Sequence, residues 1–540
     1  MTFIKFIFRP PPDYYTKTRR ACSFKFSRCR IIQHCGSEQR KILRTDITIE
    51  EVAAALNADA NSERAQIVKD ITHDSRQARE GTLFVAIKGH TIDGHRFVND
   101  VMRRGAAGIV SEYDPPTAFR GPWLKVRDAR ESLAKAAAVI NGHPSHDLDL
   151  VGITGTNGKT TTTYLCFALA EAAGVKPAML TTVEYRIGEN GVPAVRTTPE
   201  ASDTNRFLRE AVDAGCTMAA METSSQAIDL HRCDWLRFKV AVFTNLTRDH
   251  LDYHHTMENY FDAKKKLFDG RLGEAPGASV VNVDDEWGIT LINELKTAGH
   301  RLVTFSQAEN SQADLRAESV DVSLIHGTSF LLKTPLGERR VTSPLVGRPH
   351  VYNMLAATAT GIELGYDLDS MIAGLSKCIG APGRFERVPH DGDFAIVVDY
   401  AHTDDALLNT LRTARDLTTG RVITVFGCGG DRDKTKRAPM GRTAGENSDL
   451  VFITSDNPRT EDPLKIIAET EVGVAGTGTR FRSISDRRDA IYEAIRSAGS
   501  GDVVIIAGKG HEAYQIIGND KFHFDDREVA ADAISKLKET

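Results

Sequence analysis

The ten residues Gly152-Ile-Thr-Gly-Thr-Asn-Gly-Lys159-Thr160-Thr161, preceded by the apolar side chains of Leu148, Leu150 and Val151, decide the reading of this chain. They predict a buried strand, a glycine-rich turn, and a helix that starts near Thr160. Glycine lets a backbone take left-handed angles and bring its N–H groups close to an anion. Lys159 is placed to reach outer phosphates, and Thr160 offers a hydroxyl to Mg²⁺. The strict phosphate-loop expression is not met, because Ile153 stands five positions before Gly158 where a glycine is required. A plain glycine turn opening a helix is the competing reading. The Gly-Lys-Thr-Thr run favours a nucleoside-triphosphate loop built from Gly155, Thr156, Asn157, Gly158, Lys159, Thr160 and Thr161.

Around that loop the chain alternates strand and helix patterns. Strand-like runs recur at residues 216–221, 240–243, 279–283 and 301–305. Such alternation implies an α/β fold with a mostly parallel, doubly wound sheet, whose ligands bind beyond the carboxyl ends of the strands. The polar motifs Glu222-Thr-Ser224-Ser225 and Thr244-Asn245-Leu-Thr-Arg248-Asp249-His250 fall at such ends. Glu222 and His250 are therefore candidates for the metal side of a phosphate site. For Glu222 the alternative is a solvated strand-end carboxylate. The three histidines of residues 250–255 lack zinc spacing. Residues 264–266 are three lysines on a predicted helix, a pattern that ordinarily marks a solvated face.

Upstream, residues 46–146 read as a domain of their own. A helix over 49–56 carries a capping-box pattern at Thr48 and Glu51. The turn Asp74-Ser75-Arg76 and the loop Gly89-His90-Thr91-Ile92 follow, and Asn141-Gly-His-Pro144 marks a linker. The central domain is expected over 147–380. A third over 381–540 shows four strands, each closed by a glycine-rich or charged loop: Asp399-Tyr-Ala-His402, Gly427-Cys-Gly-Gly-Asp-Arg432, Asp456-Asn457-Pro458-Arg459 and Gly508-Lys-Gly-His-Glu512. That predicts a second Rossmann-like sheet with its loops at one rim. A dinucleotide fingerprint is missing.

Composition excludes several classes. At 540 residues the chain is too long for one core, and 41% hydrophobic with 26% charged residues is a globular balance. No run of about 18 apolar residues predicts a membrane span. A net charge of −5 gives the folded domains no nucleic-acid footprint. The eight cysteines show no CxxC spacing, which points to reduced thiols in a cytoplasmic setting. Residues 1–45 differ, with eleven Lys and Arg against Asp13 and Glu38. They read as a basic, disordered extension, with a transit peptide or upstream sequence taken into the reading frame as alternatives.

The series Gly-Thr-Asn-Gly-Lys-Thr-Thr, Thr-Asn-Leu-Thr-Arg-Asp-His-Leu-Asp-Tyr-His, Gly-Arg-Phe-Glu, Asp-Tyr-Ala-His and Gly-Lys-Gly-His-Glu, in this order over residues 46–540, resembles the Mur ligase family. Within it the chain is similar to the branch that adds the third amino acid. The resemblance implies three domains and ATP-dependent amide formation on UDP-MurNAc-L-Ala-D-Glu. ATP would phosphorylate the D-Glu γ-carboxylate, and an incoming amine would displace phosphate.

It further implies Mg²⁺ near Thr160, Glu222 and His250, with Lys264 carbamylated as a support for that metal. Ser75, His90, Thr91 and Ile92 would take the uridine end. Thr197, Thr198, Ser224 and Arg232 would hold the sugar-peptide. Arg432, Asp456, Asn457, Pro458, Arg459, Gly508 and Glu512 would bind the added amino acid. The Asp-Asn-Pro-Arg run resembles the meso-2,6-diaminopimelate-adding branch, because the planar fork of Arg459 suits that substrate's extra carboxylate.

Two departures stand out: Leu230, where relatives often carry Gln, and Asp404, where they usually carry Pro. The competing readings are an L-lysine-adding enzyme, a folylpolyglutamate synthetase and a catalytically idle scaffold. A monomer is expected, with hinges near residues 145 and 380.

Overall fold

A computed structural model describes residues 47–60, 66–89, 92–324 and 326–539. The expected basic extension and the candidate residues His90 and Thr91 lie outside the described residues. The described residues, all within 47–539, form one compact unit.

The amino-terminal sheet runs, in spatial order, Asp59–Ala60, Trp123–Lys125, Gly108–Ser111, Thr82–Val85 and Asp70–Thr72. All neighbours but the first pair are parallel. Helix Ile49–Leu56 begins at the expected capping box: Glu51 N donates to Thr48 Oγ1 (3.2 Å), and Thr48 N donates to the Glu51 carboxylate (3.0 Å).

The central sheet has eleven strands. From Pro177–Leu180 through Met218–Glu222, Asp149–Thr154, Val240–Phe243, Ala278–Asn282 and Leu302–Ser306 to Leu315–Ser323, neighbours are parallel. Val, Ile and Ala dominate the inner strands, Asp149–Thr154, Met218–Glu222, Val240–Phe243 and Ala278–Asn282, and are buried on both faces, as a doubly wound sheet requires. One face packs on helices Lys159–Ala172, Arg348–Glu363 and Leu368–Lys377. The other packs on Ala201–Asp213, Met257–Lys265 and Glu286–Thr297.

Both edges carry antiparallel additions beyond the parallel strands the sequence predicts. A hairpin of Glu184–Ile187 and Asn190–Pro193 closes one edge, and Gly327–Thr334 with Gly337–Ser343 extends the other. Burial alternates along Leu315–Ser323 and Gly327–Thr334, because only one face of this extension meets the helices.

The carboxy-terminal sheet orders as Glu386–Arg387, Ala395–Asp399, Val503–Ala507, Val422–Phe426, Leu450–Ile453 and Arg480–Ser483, parallel apart from the first pair. Helices cover both faces. Asp404 opens helix Asp404–Leu417, whose cap is Thr403 (Oγ1 accepts from Ala406 N, 3.2 Å). Its carboxylate suits the positive end of the helix dipole, so Asp serves where Pro would also fit.

Candidate active site

The phosphate loop joins strand Asp149–Thr154 to helix Lys159–Ala172. Gly155 lies at φ 146° and Gly158 at φ 87°. Neither tolerates a side chain: a Cβ on Gly155 would sit 1.9 Å from Thr244 Oγ1, and one on Gly158 2.4 Å from Asn353 Oδ1. The neighbouring strand end pins the loop from the side. Thr156 N donates to Asn245 O (2.9 Å), Asn157 N donates to Asn245 Oδ1 (2.9 Å), and Thr247 N donates to Thr156 Oγ1 (3.0 Å). Thr244 Oγ1 donates to Asn157 O (2.6 Å). Thr160 and Thr161 are buried in the first helical turn.

Two lysines converge on this loop. Lys159 Nζ donates to the carbonyls of Gly155 and Thr156, both at 2.8 Å. Lys264, only 1% exposed, donates to the same Gly155 oxygen at 2.9 Å, with its Nζ 4.5 Å from the centre of the Tyr260 ring. Lys264 is therefore no solvated lysine. Burial, reinforced by the Lys159 charge, holds its amine well below the usual lysine range. Burial also lowers Lys159, against the pull of Glu222 and Asp249.

Glu222 ends strand Met218–Glu222 at 1% exposure, so it is a buried carboxylate. Thr182 holds it, donating N–H to Oε1 (2.7 Å) and its hydroxyl to both oxygens (3.2 Å each). His250 takes a left-handed φ of 53°, with Nε2 3.6 Å from Asp249. Burial lowers its pKa, the Asp249 charge acts against that, and Lys159 and Lys264 lower it further. Among the described residues no group of three or more His, Cys, Asp or Glu is placed to hold a metal ion.

The sugar-peptide candidates share one wall. Thr198 Oγ1 donates to Glu222 O (2.8 Å) and lies 3.3 Å from Ser224 Oγ, while Arg232 donates to Thr198 O (3.2 Å) and pairs with Glu200 (2.8 Å). Thr197 Oγ1 lies within hydrogen-bond distance of Thr182 Oγ1 (3.1 Å). Leu230 directly follows helix Ser225–Asp229. Ser75 belongs to a tight turn of the amino-terminal sheet in which Arg76 grips Asp74 (2.9 and 2.7 Å). The strand leading into that turn is tied to helix Ala201–Asp213, where Arg206 bridges Asp70 (3.0 Å) and Asp203 (2.9 Å). Ile92 is exposed.

In the carboxy-terminal sheet the predicted amino-acid residues mostly gather. Asp456 and Asn457 are buried, and Asn457 Nδ2 donates to Glu512 Oε2 (2.9 Å). Gly508 lies beside Asp456, at φ 116°. Arg459 takes a left-handed φ of 52° and donates from Nη1 to Gly430 O (2.7 Å); its Nη2 and Nε have no hydrogen-bond partner among the described residues. Pro458 O packs against Gly430, where a Cβ would meet it at 1.9 Å. Arg432 is exposed and bonded to its neighbour's carbonyl (3.4 Å), and its Cγ flanks Gly429 on the side where Arg459 Nη1 lies. Burial and the Asp456 charge raise the Glu512 carboxyl, while Lys509 acts the other way.

Contacts across domains bring these walls together. Thr247 Oγ1 donates to Asp405 Oδ2 (3.1 Å). Arg384 lies over the Tyr400 ring at 4.6 Å, and the charges of Arg384 and Lys159 repel.

Known proteins match this chain along its length. Residues 67–140 match the Mur ligase family catalytic domain, 153–361 the Mur ligase middle domain, and 383–510 the Mur ligase glutamate ligase domain. The chain belongs to the Mur ligase family. Relatives of this Mur ligase include the UDP-N-acetylmuramoyl-L-alanyl-D-glutamate–2,6-diaminopimelate ligase of Geobacter metallireducens, 45% identical over 91% of this chain and 98% of that protein. The protein of that name from Bacillus velezensis is 45% identical over 87% and 95%. A solved structure of a UDP-N-acetylmuramoyl-L-alanyl-D-glutamate–2,6-diaminopimelate ligase shares 32% identity and a TM-score of 0.67, over 92% of this chain and 100% of that one. MurF ligase from Thermotoga maritima, solved with ADP, shares the fold (TM-score 0.60) at 18% identity.

Several groups of this Mur ligase site escape a reading of motifs alone. Asn353 reaches the phosphate loop from helix Arg348–Glu363, where a buried Asn in an apolar helical run is the available signal. Arg384 and Lys509 sit inside quoted motifs, yet nothing local marks Lys509 as buried or Arg384 as half-buried with its Nε shielded from solvent. Thr182, which orients Glu222, carries no signal at all.

Proposed function

We propose that this chain joins meso-2,6-diaminopimelate to the D-Glu γ-carboxylate of UDP-MurNAc-L-Ala-D-Glu, consuming ATP, as a cytoplasmic step of peptidoglycan precursor synthesis. The observation that carries the reading is the pairing of two pockets. One is a phosphate loop crowded by Lys159 and Lys264; the other is a carboxylate-and-arginine pocket at Asp456, Arg459 and Glu512. The names and high coverage of the relatives support it. No helix among the described residues is long and apolar enough to cross a membrane.

The chemistry runs in two balanced steps. A substrate carboxylate oxygen attacks the γ-phosphorus of ATP, releasing ADP and leaving an acyl phosphate. The amine of the acceptor then attacks the acyl carbon, loses a proton, and expels inorganic phosphate as the amide forms. Residues 155–161 orient the triphosphate, and Lys159 meets the charge that develops during transfer. Thr197, Thr198, Ser224 and Arg232 hold the sugar-peptide beside Glu222, with Ser75, His90, Thr91 and Ile92 on the uridine end. Arg459 offers Nη2 and Nε to the distal carboxylate of the acceptor, and Asp456 and Glu512 receive its ammonium.

The residues fit Mg²⁺. Thr160 and Glu222 supply oxygen donors, and sparse protein ligation is what Mg²⁺ takes when substrate phosphates and water complete its shell. When bound, Mg²⁺ would neutralise phosphoryl charge, with His250 on the same side. The depressed pKa of Lys264 supplies the neutral amine that carbamylation by CO₂ requires. Domain boundaries near residues 146 and 380 complete the reading.

The test is phosphate release by the purified chain with ATP, Mg²⁺ and UDP-MurNAc-L-Ala-D-Glu, comparing meso-diaminopimelate with L-lysine. Release and tripeptide product with diaminopimelate alone are expected. Turnover with lysine alone would overturn the acceptor assignment. Silence with both acceptors would overturn the reaction.

A further inference from the structure

Lys509 is 0% exposed, yet its ammonium is shared among three groups. Nζ lies 3.2 Å from Asn457 Oδ1, 3.3 Å from Asp456 Oδ1 and 3.9 Å from Glu512 Oε2. Asn457 completes the tie, since its Nδ2 donates to Glu512 and its Oδ1 also accepts from Ile516 N (2.9 Å). One buried cation thus links two loops that lie about fifty residues apart in sequence.

A buried ion network costs desolvation that well-packed apolar side chains would avoid, so it is weak evidence for a purely stabilising role. The charges count out informatively. Asp456 and Glu512 bring two negative charges against the one of Lys509, and the nearby Arg487 is neutralised by Asp526 (2.6 Å). The carboxylate pair keeps one net negative charge, which an ammonium group balances, while Arg459 waits for a carboxylate. That is the charge pattern of one amino-acid end of a diamino diacid.

We propose that Lys509 is a positioning residue of the acceptor pocket, holding Asp456, Asn457 and Glu512 in the geometry that receives the incoming ammonium. The proposal rests on the acceptor reading above. Without Lys509, two carboxylates would share a buried site and one would resist ionisation. The charged and titratable groups facing Glu512 are Asp456 and Arg459 from one loop, Lys509 and Tyr514 from its own, and Tyr400 and Arg487 from the elements beneath.

The experiment measures kcat and KM for meso-diaminopimelate, ATP and UDP-MurNAc-L-Ala-D-Glu across the neutral pH range, in the full chain and in Lys509→Met and Lys509→Gln. The expected result is a rise of about tenfold or more in the diaminopimelate KM, as for loss of a charge-assisted contact. The KM values for ATP and the UDP-substrate should hold. The acid limb of kcat/KM for diaminopimelate should move to higher pH. A uniform loss of kcat with that KM and limb unmoved would overturn the proposal, and so would failure of both variants to fold in a thermal melt. Wild-type silence with diaminopimelate counts against the proposed reaction instead, whereas wild-type turnover with unmoved variants counts against Lys509 alone.

Discussion

In the central sheet, Lys159 and Lys264 both aim their amines at the carbonyl of Gly155, and neither has a carboxylate within ion-pair distance among the described residues. In the carboxy-terminal sheet, Lys509 is surrounded by Asp456, Asn457 and Glu512. Both loops follow parallel strands and both bury a lysine, but they handle charge in opposite ways. The first buries its amines without an ion-pair partner, and that burial, more than the repulsion between charges, holds both below their usual range. The second is already compensated and keeps one spare negative charge. A strand-end loop thus selects a polyanion or a zwitterion by the counter-charges that its neighbours lend it.

The sharpest way to break this contrast is at the backbone. Gly155→Ala puts a Cβ into Thr244 at a φ that L-residues avoid, so the loop must rebuild. Thermal protection of the chain by ATP with Mg²⁺ should disappear, while the variant without nucleotide still melts cooperatively. Lys159→Ala keeps the loop's glycines but removes the charge together with the two bonds to the Gly155 and Thr156 carbonyls. Phosphate release should fall by about 10²–10³-fold, the scale for losing one preorganised electrostatic contact. A retained rate would mean that the loop's backbone N–H groups, without Lys159, suffice for the transfer.

On the other side, Arg459→Lys keeps the charge but not the planar fork. Its kcat/KM for meso-diaminopimelate should drop by roughly 10- to 100-fold, with little change in the KM for ATP. An equal loss for both substrates would show that the two pockets are not separable. The smallest effect is expected at the seam. Thr247→Val deletes the hydrogen bond to Asp405 that couples the loops, and should lower turnover by about two- to tenfold without shifting either KM ratio.

The helix cap at Thr48 and Glu51, the strand at Val240–Phe243 and the phosphate loop follow from residues adjacent in the chain, where spacing and residue type fix the local geometry. The antiparallel edges were less legible. Their alternation is broken by a bulge between Glu318 and Asp321, and in Glu184–Ile187 by partial burial throughout. Of the candidate site residues, Ser224 and Arg232 meet Thr198, which in turn meets the Glu222 carbonyl, while Gly508 lies beside Asp456 and Asn457 bonds to Glu512. Arg432 flanks Gly429 beside Arg459 and hydrogen-bonds only its neighbour's carbonyl among the described residues. Lys264 sits in a lysine run that looks solvated, and only packing against Tyr260 reveals that it is buried.

The sequence by itself determined the alternating α/β plan, the phosphate-binding turn and the family, because each rests on periodicity or on contiguous motifs. Tertiary structure alone decided which charges are neutralised. It set Lys159 and Lys264 on one carbonyl, closed Arg487 onto Asp526, and gathered two carboxylates around Lys509. Electrostatic partnership depends on distances of a few ångströms between residues far apart in the chain, and no local pattern encodes those distances.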